Sequence, residues 1–430
     1  MKIYRTYKGE DITLYSLLEK RAESSSADIT EKVRDVITNV KTRGDEALFD
    51  YCEMFDRCRP HSLVISDEEL DRAAANAPAE LWEIMREAAD NIRIYHEKQL
   101  SCGYEFESKG KKLGRIVRPL KRVGVYVPGG TAAYPSTVLM NCIPARVAGV
   151  EEIILVTPPK ADGLNPIIAA AAKIAGVDKV ISVGGAQAVA ALAYGTESVP
   201  KVDKIVGPGN MFVAEAKRQV YGIVNIDMIA GPSEVCVIAD STADPEYIAA
   251  DLLSQLEHDR AASAVLITTD ESVAKKVDKA IYKQLAALNR SEIASVSLEN
   301  WSACVIATDI EDAFRVANII APEHLEIVTE NPEENLSLVE NAGSIFIGEL
   351  SPEPMGDYYA GTNHVLPTSG TARFSSPLSV DDFVKKMSYL SYSEEAFLRD
   401  AESVIKFAEV EGLDAHANSV KIRLEKKVKK

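Results

Sequence analysis

Between residues 123 and 227, short apolar runs alternate with longer stretches whose apolar residues recur at helical spacing. The runs at 124–127, 153–157, 179–183, 204–206 and 223–227 are too short for helices and predict strands; 135–148, 166–175, 186–193 and 211–221 predict helices. Parallel strands need crossover connections, so this alternation predicts an α/β fold with a doubly wound parallel sheet. A second series follows at 235–239, 264–268, 304–307, 325–329 and 344–347, again separated by helices, and predicts a second, similar half. Upstream the rhythm differs. Val33, Ile37 and Val40 fall at helix spacing, and another helix is predicted from Pro78 through His96. Two short alternating segments, around 104–106 and 114–117, lead into the first strand. After Ile347 a Gly- and Pro-rich loop runs to about Leu378, and from Ser379 the pattern is helical and strand-free.

These boundaries give an N-terminal helical region (1–122) expected to pack on the second α/β domain, a first Rossmann-like domain (123–232), a second (233–378) and a helical C-terminal arm (379–430). The Gly-rich turns Pro128-Gly129-Gly130, Gly184-Gly185-Ala186-Gln187 and Gly207-Pro208-Gly209-Asn210 fall at strand carboxyl ends, where open α/β sheets bind ligands. None is the G-x-G-x-x-G fingerprint and no P-loop is present, although backbone N–H groups at such turns suit a pyrophosphate.

Candidate chemistry centres on residues 230–259. Asp244 and Pro245 read as the cap and first position of a helix whose apolar side is Ile248, Ala249, Leu252, Leu253 and Leu256. Gln255 and His258, three residues apart, share a different, polar edge. Such a pair is most often merely solvated; its company changes the reading. Glu323 and His324 stand together between a helix and a strand, Asp357 lies in the long loop, and His416 lies two residues after Asp414 in the tail. Imidazole and carboxylate together make an N/O set suited to zinc.

Composition narrows the class. At 430 residues and 46% hydrophobic the chain can bury a large core and is expected to form more than one domain. A net charge of −17 argues against nucleic acid, which demands a basic face. No apolar run approaches the ~18 residues of a membrane span, and residues 1–9 lack a signal's apolar core, so no membrane association and a cytoplasmic location are expected. Cys52, Cys58, Cys102, Cys142, Cys236 and Cys304 show no C-x-x-C spacing, against a thiolate metal site or a disulfide scaffold.

The segments G-P-S-E-V-C-V-I-A-D, A-A-D-L-L-S-Q-L-E-H-D, A-P-E-H-L-E, P-M-G-D-Y, A-G-T-N-H-V-L-P-T and L-x-A-H occur in the order and spacing of the histidinol dehydrogenase family, which the chain resembles from about Val117 to His416. The resemblance implies two NAD-dependent oxidations of L-histidinol, through the aldehyde, to L-histidine. It implies one zinc ion per subunit held by Gln255, His258, Asp357 and His416. His324 is implied to take the alcohol proton and Glu323 to activate water. Ser233, His364 and Glu411 are implied near the substrate, alongside the zinc residues and His324, and Tyr126, Gln187 and Asn210 against NAD. Finally, it implies a homodimer in which Glu411 and His416 complete the partner's site.

Three other readings weigh the same residues differently. A cysteine-dependent aldehyde oxidation would use Cys142 or Cys236, but apolar surroundings should keep both protonated. A zinc hydrolase would use the same ligands without nucleotide. A bilobed binding protein would use the cleft without an acid/base pair, and would normally carry an export signal.

Overall fold

The computed structural model describes residues 1–22, 27–129 and 134–429. Numbered along the chain, its strands are β1 (Lys2–Arg5), β2 (Val64–Ile65), β3 (Tyr104–Ser108), β4 (Lys111–Pro119), β5 (Arg122–Tyr126), β6 (Glu152–Thr157), β7 (Lys179–Ser182), β8 (Lys204–Val206), β9 (Asn225–Ile226), β10 (Glu234–Ala239), β11 (Ser263–Thr268), β12 (Ala303–Ile306), β13 (His324–Val328), β14 (Ser344–Ile347) and β15 (Val384–Tyr392). The apolar runs become central strands because parallel sheets are covered on both faces. Every position of β10, β11 and β13 is buried.

The chain divides into two compact units. The first, Met1–Gln99 with Leu120–Phe383, holds two six-stranded sheets that are parallel but for β2, which runs antiparallel to β7. Their orders are β2-β7-β6-β5-β8-β9 and β1-β12-β11-β10-β13-β14, so each winds outward from one strand and then returns to its other side. Those switch points lie between β5 and β8 and between β10 and β13. The two sheets are joined by the short connection 227–233, which leaves the carboxyl end of β9 and enters the amino end of β10. The second unit, Leu100–Pro119 with Val384–Lys430, holds an antiparallel sheet of order β15-β4-β3 and the helices Glu394–Val410 and Asp414–Val428.

Two expectations are corrected. The arm from Ser379 is not strand-free, because Val384–Tyr392 pairs along its whole length with β4. Its sequence V-K-K-M-S-Y-L-S-Y gives neither face a clean apolar row, and most of the strand is exposed, so the period-2 signal is weak. Nor does the N-terminal region pack chiefly on the second sheet. Val33, Ile37, Val40, Leu48 and Cys52 share one core with Tyr126, Ile154 and Val156, and Met85, Ala88 and Ile92 share another with Val123 and Leu139. Among the described residues, it is the first segment that goes to the second sheet, where Leu14 joins Ile238 and Phe314 and β1 pairs with β12.

The helix Ala79–Glu97 ends on a buried imidazole. His96 Nδ1 lies 2.8 Å from the Ile92 carbonyl oxygen, and Asn363 Nδ2 stands 3.3 Å from His96 Nε2 while donating to the Met140 carbonyl at 2.7 Å. This network ties the loop carrying His364 to the first sheet's helices. Burial lowers the His96 pKa, opposed by the carbonyls of Ile92 and Leu378. The unfolded chain therefore binds the proton more readily. Stability from this residue is complete above its ordinary pKa of 6.5 and is lost as pH falls through that value toward the folded-state pKa. The midpoint of urea unfolding should fall between about pH 7 and pH 5, and His96→Gln should flatten that fall. An unchanged slope in the variant would assign the acid sensitivity elsewhere.

Candidate active site

The reactive side chains gather at the amino edge of the second sheet. β10 and β13 are parallel neighbours with Val235 opposite His324, so His324, which opens β13, and Glu323 just before it stand beside Glu234, which opens β10. The Glu234 backbone N–H donates to Glu323 Oε2 at 2.9 Å. The Glu234 carboxylate is paired with Arg21 and accepts the Ser369 N–H at 2.6 Å. Arg21, on the helix Asp11–Ala22, also donates to the carbonyls of Ser233 at 3.2 Å and Ala261 at 3.0 Å. The first helix thus supplies the charge that lets Glu234 be buried. No motif spacing in the sequence links residue 21 to residue 234, and the sequence reading missed it.

The helix Pro245–Leu256 is capped by Asp244, whose side chain accepts the Glu246 N–H. It runs back along β10 to the same edge and delivers Gln255, whose Nε2 lies 2.8 Å from His324 Nδ1. The same ring nitrogen lies 3.0 Å from the Glu234 carbonyl. Each protonation state of the ring therefore has a partner: Gln255 donates to a bare Nδ1, and a protonated Nδ1 donates to Glu234. On the other side, His324 Nε2 faces Asp357 Oδ1 at 3.5 Å.

Asp357 is presented by the turn Gly356–Ala360, which continues the short helix Glu353–Met355. That helix is anchored where the Glu353 N–H donates to Glu326 Oε1 at 2.8 Å and Ser254 Oγ to Glu353 Oε2 at 3.0 Å. His364 Nδ1 donates to the Asp357 carbonyl at 3.1 Å. Glu353, four residues before Asp357, was also missed; its helical spacing from Asp357 was the available signal.

These groups shift one another. Burial raises Glu323 to about 8, against the pull of His324 and with help from the Glu234 carboxylate. Burial alone would push His324 down, but Glu323, Asp357 and Glu353 outweigh it and hold the imidazole at about 10. Burial also raises Glu353, to about 7, and Asp357 is lowered because His324 overcomes its burial. His258 keeps an exposed residue surface, yet the crowding of its ring lowers its pKa while Asp357 opposes the shift.

Donor atoms of His324, Glu353 and Asp357 lie within 4.8 Å of one another. Gln255 Oε1 and His324 Nε2 are buried without a hydrogen-bond partner, a condition that costs about 1–3 kcal/mol per group unless something binds there. The unpaired Gln255 amide oxygen and the Asp357 and Glu353 carboxylates are donors of the kind a divalent N/O site uses, and the unpaired His324 nitrogen faces the same space. Of the four implied zinc ligands, the structure brings Gln255 and Asp357 to this cluster and His258 into electrostatic range of Asp357. His416, exposed on the helix Asp414–Val428, and Glu411, exposed at the end of Glu394–Val410, belong to the second unit.

Residues implied for NAD lie at the carboxyl edge of the first sheet. Tyr126 is buried and its hydroxyl accepts the Gly185 N–H at 3.1 Å; burial raises its pKa to about 12. Gln187 is buried in the first turn of the helix Gly185–Tyr194. Asn210 caps the helix Met211–Val220, its Oδ1 accepting from Phe212 and Val213. Gly130 of the first Gly-rich turn lies outside the described residues. A cavity of about 320 Å³ opens beyond β6 and β7, lined among others by Cys58, Pro128, Gly129, Pro158, Asn165 and Ser182. Its volume is within the range of small-molecule sites. Cys142 and Cys236 are fully buried and their thiols are pushed far up by burial, which leaves neither as a nucleophile.

Comparison with known proteins agrees over nearly the full length. The family model for histidinol dehydrogenase matches residues 19–424. The histidinol dehydrogenase of Clostridium acetobutylicum is 54% identical over 411 residues, covering 95% of each chain, and that of Bacillus thuringiensis subsp. konkukian is 55% identical over 414 residues, covering 96% of each. The crystal structure of histidinol dehydrogenase from Elizabethkingia anophelis superposes with a TM-score of 0.93 at 38% identity, covering 99% of this chain and 98% of that one. A hydrolase reading of the same residues finds no support in these matches. On fold, sequence and the acid/base cluster together, the chain belongs to the histidinol dehydrogenase family and is an oxidoreductase.

Proposed function

We propose that the chain oxidises L-histidinol to L-histidinal and then to L-histidine, the closing steps of histidine biosynthesis, using two NAD molecules in the cytoplasm. The observation that carries the chemistry is the Glu323–His324 pair, a buried carboxyl and a buried imidazole side by side with a partner for each state of the ring. An alcohol must shed its hydroxyl proton as hydride departs, and His324, in the neutral form to whose Nδ1 Gln255 donates, is the group placed to take it. In the second oxidation a water must lose a proton as it adds to the aldehyde. Glu323 performs that task, because a carboxyl raised to about 8 is a stronger base than an ordinary one. NAD supplies the hydride acceptor, and Tyr126, Gln187 and Asn210 form its side of the cleft.

Gln255, His258, Asp357 and His416 would hold one zinc ion per subunit, the unpaired Gln255 oxygen being the best-motivated donor. When bound, zinc would act as a Lewis-acid template for the substrate's imidazole and amine. Ser233, His364 and Glu411 would orient the substrate, with Glu411 opposite its ammonium group.

The active unit is a homodimer in which Glu411 and His416 serve the partner's site. The helix that ends at Glu411 supports this reading: Val404, Phe407 and Val410 recur on one face, with Phe407 71% and Val410 79% exposed. Apolar side chains in such a row mark an interaction surface, and a second copy of this chain is the occupant proposed.

Two results are expected. Glu323→Gln should slow oxidation of supplied histidinal more than the first hydride transfer from histidinol in a rapid-mixing assay, whereas His324→Asn should retain metal and substrate binding but lose about 10²–10⁴-fold in turnover. Complete loss of the first transfer in Glu323→Gln would break the division of labour. Inactive His416→Ala and His258→Asn chains, dissociated and reassembled together, should regain activity in about a quarter of sites by twofold counting. No recovery, with heterodimers confirmed by native mass measurement, would place His416 in its own chain's site.

A further inference from the structure

The first sheet contains a buried ion pair that the chemistry above does not use. Lys217, on the helix Met211–Val220, is salt-bridged to Asp227, and their side chains are only 3% and 1% exposed. Both partners also bond the same residue. Lys217 Nζ donates to the Gly207 carbonyl at 3.0 Å, and Asp227 Oδ2 accepts the Gly207 N–H at 2.8 Å. Asp227 Oδ1 further accepts the Met228 N–H at 2.6 Å, which ties the clamp to the connection between the two sheets.

Gly207 follows directly on β8, whose neighbour is β5, so it stands at the first sheet's switch point. Its φ of +108° lies in the left-handed region, and a Cβ there would meet the Tyr126 carbonyl oxygen at 2.2 Å. Its amide and carbonyl, gripped from two sides, have no freedom to rotate. The turn Gly207-Pro208-Gly209-Asn210 that leaves this residue is thereby aimed before the Asn210 cap begins the next helix.

Burying two charges is expensive, and an apolar pair of similar size would usually serve packing equally well or better. An apolar pair could not hold the N–H and the carbonyl of Gly207, and so the two peptide groups that flank it. We propose that Lys217 and Asp227 are positioning residues for the dinucleotide: their clamp on Gly207 fixes the turn that receives NAD at the β5/β8 crevice. The inference rests on reading the first sheet as the NAD side.

The test uses the full-length, metal-loaded protein and measures NAD binding at equilibrium alongside steady-state kinetics. Lys217→Met with Asp227→Leu removes both charges without stranding either, and Lys217→Arg keeps the charge. The double variant should raise both the dissociation constant and the KM for NAD by about tenfold or more, since small misplacements far from the chemistry have effects of this size. The KM for histidinol and the bound metal should stay at wild-type values, and Lys217→Arg should recover much of the affinity. Normal NAD affinity in a folded double variant would overturn the clamp's role. If the double variant does not fold, Asp227→Asn takes its place with the same expected and contrary results. Hydrogen exchange of the wild type separates the two levels: protection of residues 207–213 by NAD supports the reading of the first sheet, and protection elsewhere overturns both.

Discussion

The parallel pairing of β10 with β13 is the contact on which the rest of the site depends. It sets Glu323 and His324 against Glu234, so that one backbone N–H aims the carboxyl and one backbone carbonyl is ready for the ring. A slip of one residue would turn Glu323 and His324 to opposite faces from those they occupy, because side chains alternate along a strand. The connection 227–233 then carries the constraint to the other half. It is too short to let the carboxyl edge of the first sheet stray far from the amino edge of the second.

Such a site is costly to build. Arg21, Glu234, Glu323, His324 and Glu353 are all buried, and each ion removed from water forfeits several kcal/mol of hydration before its partners offset the loss. The fold meets that cost with apolar packing on both faces of two sheets. It also distributes charge in alternation, Arg21 to Glu234 and Glu323 to His324 to Asp357, so that no carboxylate lies far from a cation or a donor. The raised pKa of Glu323 and the unpaired Gln255 oxygen and His324 Nε2 are among what remains unbalanced, and functional sites are where such imbalance is expected.

Much of this architecture was legible because the physics behind it is local. Apolar runs such as 153–157 and 264–268 became buried strands within a residue of their expected ends, and Asp244 caps its helix as its position suggested. Whatever depends on distant partners was not legible. β1 and β15 gain their identity from pairing with β12 and β4, and Arg21 gains its role from Glu234, more than two hundred residues away. The general rule that ligands sit beyond strand carboxyl ends suits the Gly-rich turns of the first sheet but not the second, where the cluster occupies the amino edge. There the helix Pro245–Leu256 brings Gln255 back along β10, a placement that motif spacing alone cannot express.

The central claim is that one buried acid/base pair carries both oxidations at a single site. Its most direct test is to count NADH formed from limiting histidinol with excess NAD while assaying for free histidinal. The account predicts two NADH per histidinol with the aldehyde retained throughout. One NADH per histidinol, with histidinal accumulating in solution, would contradict it.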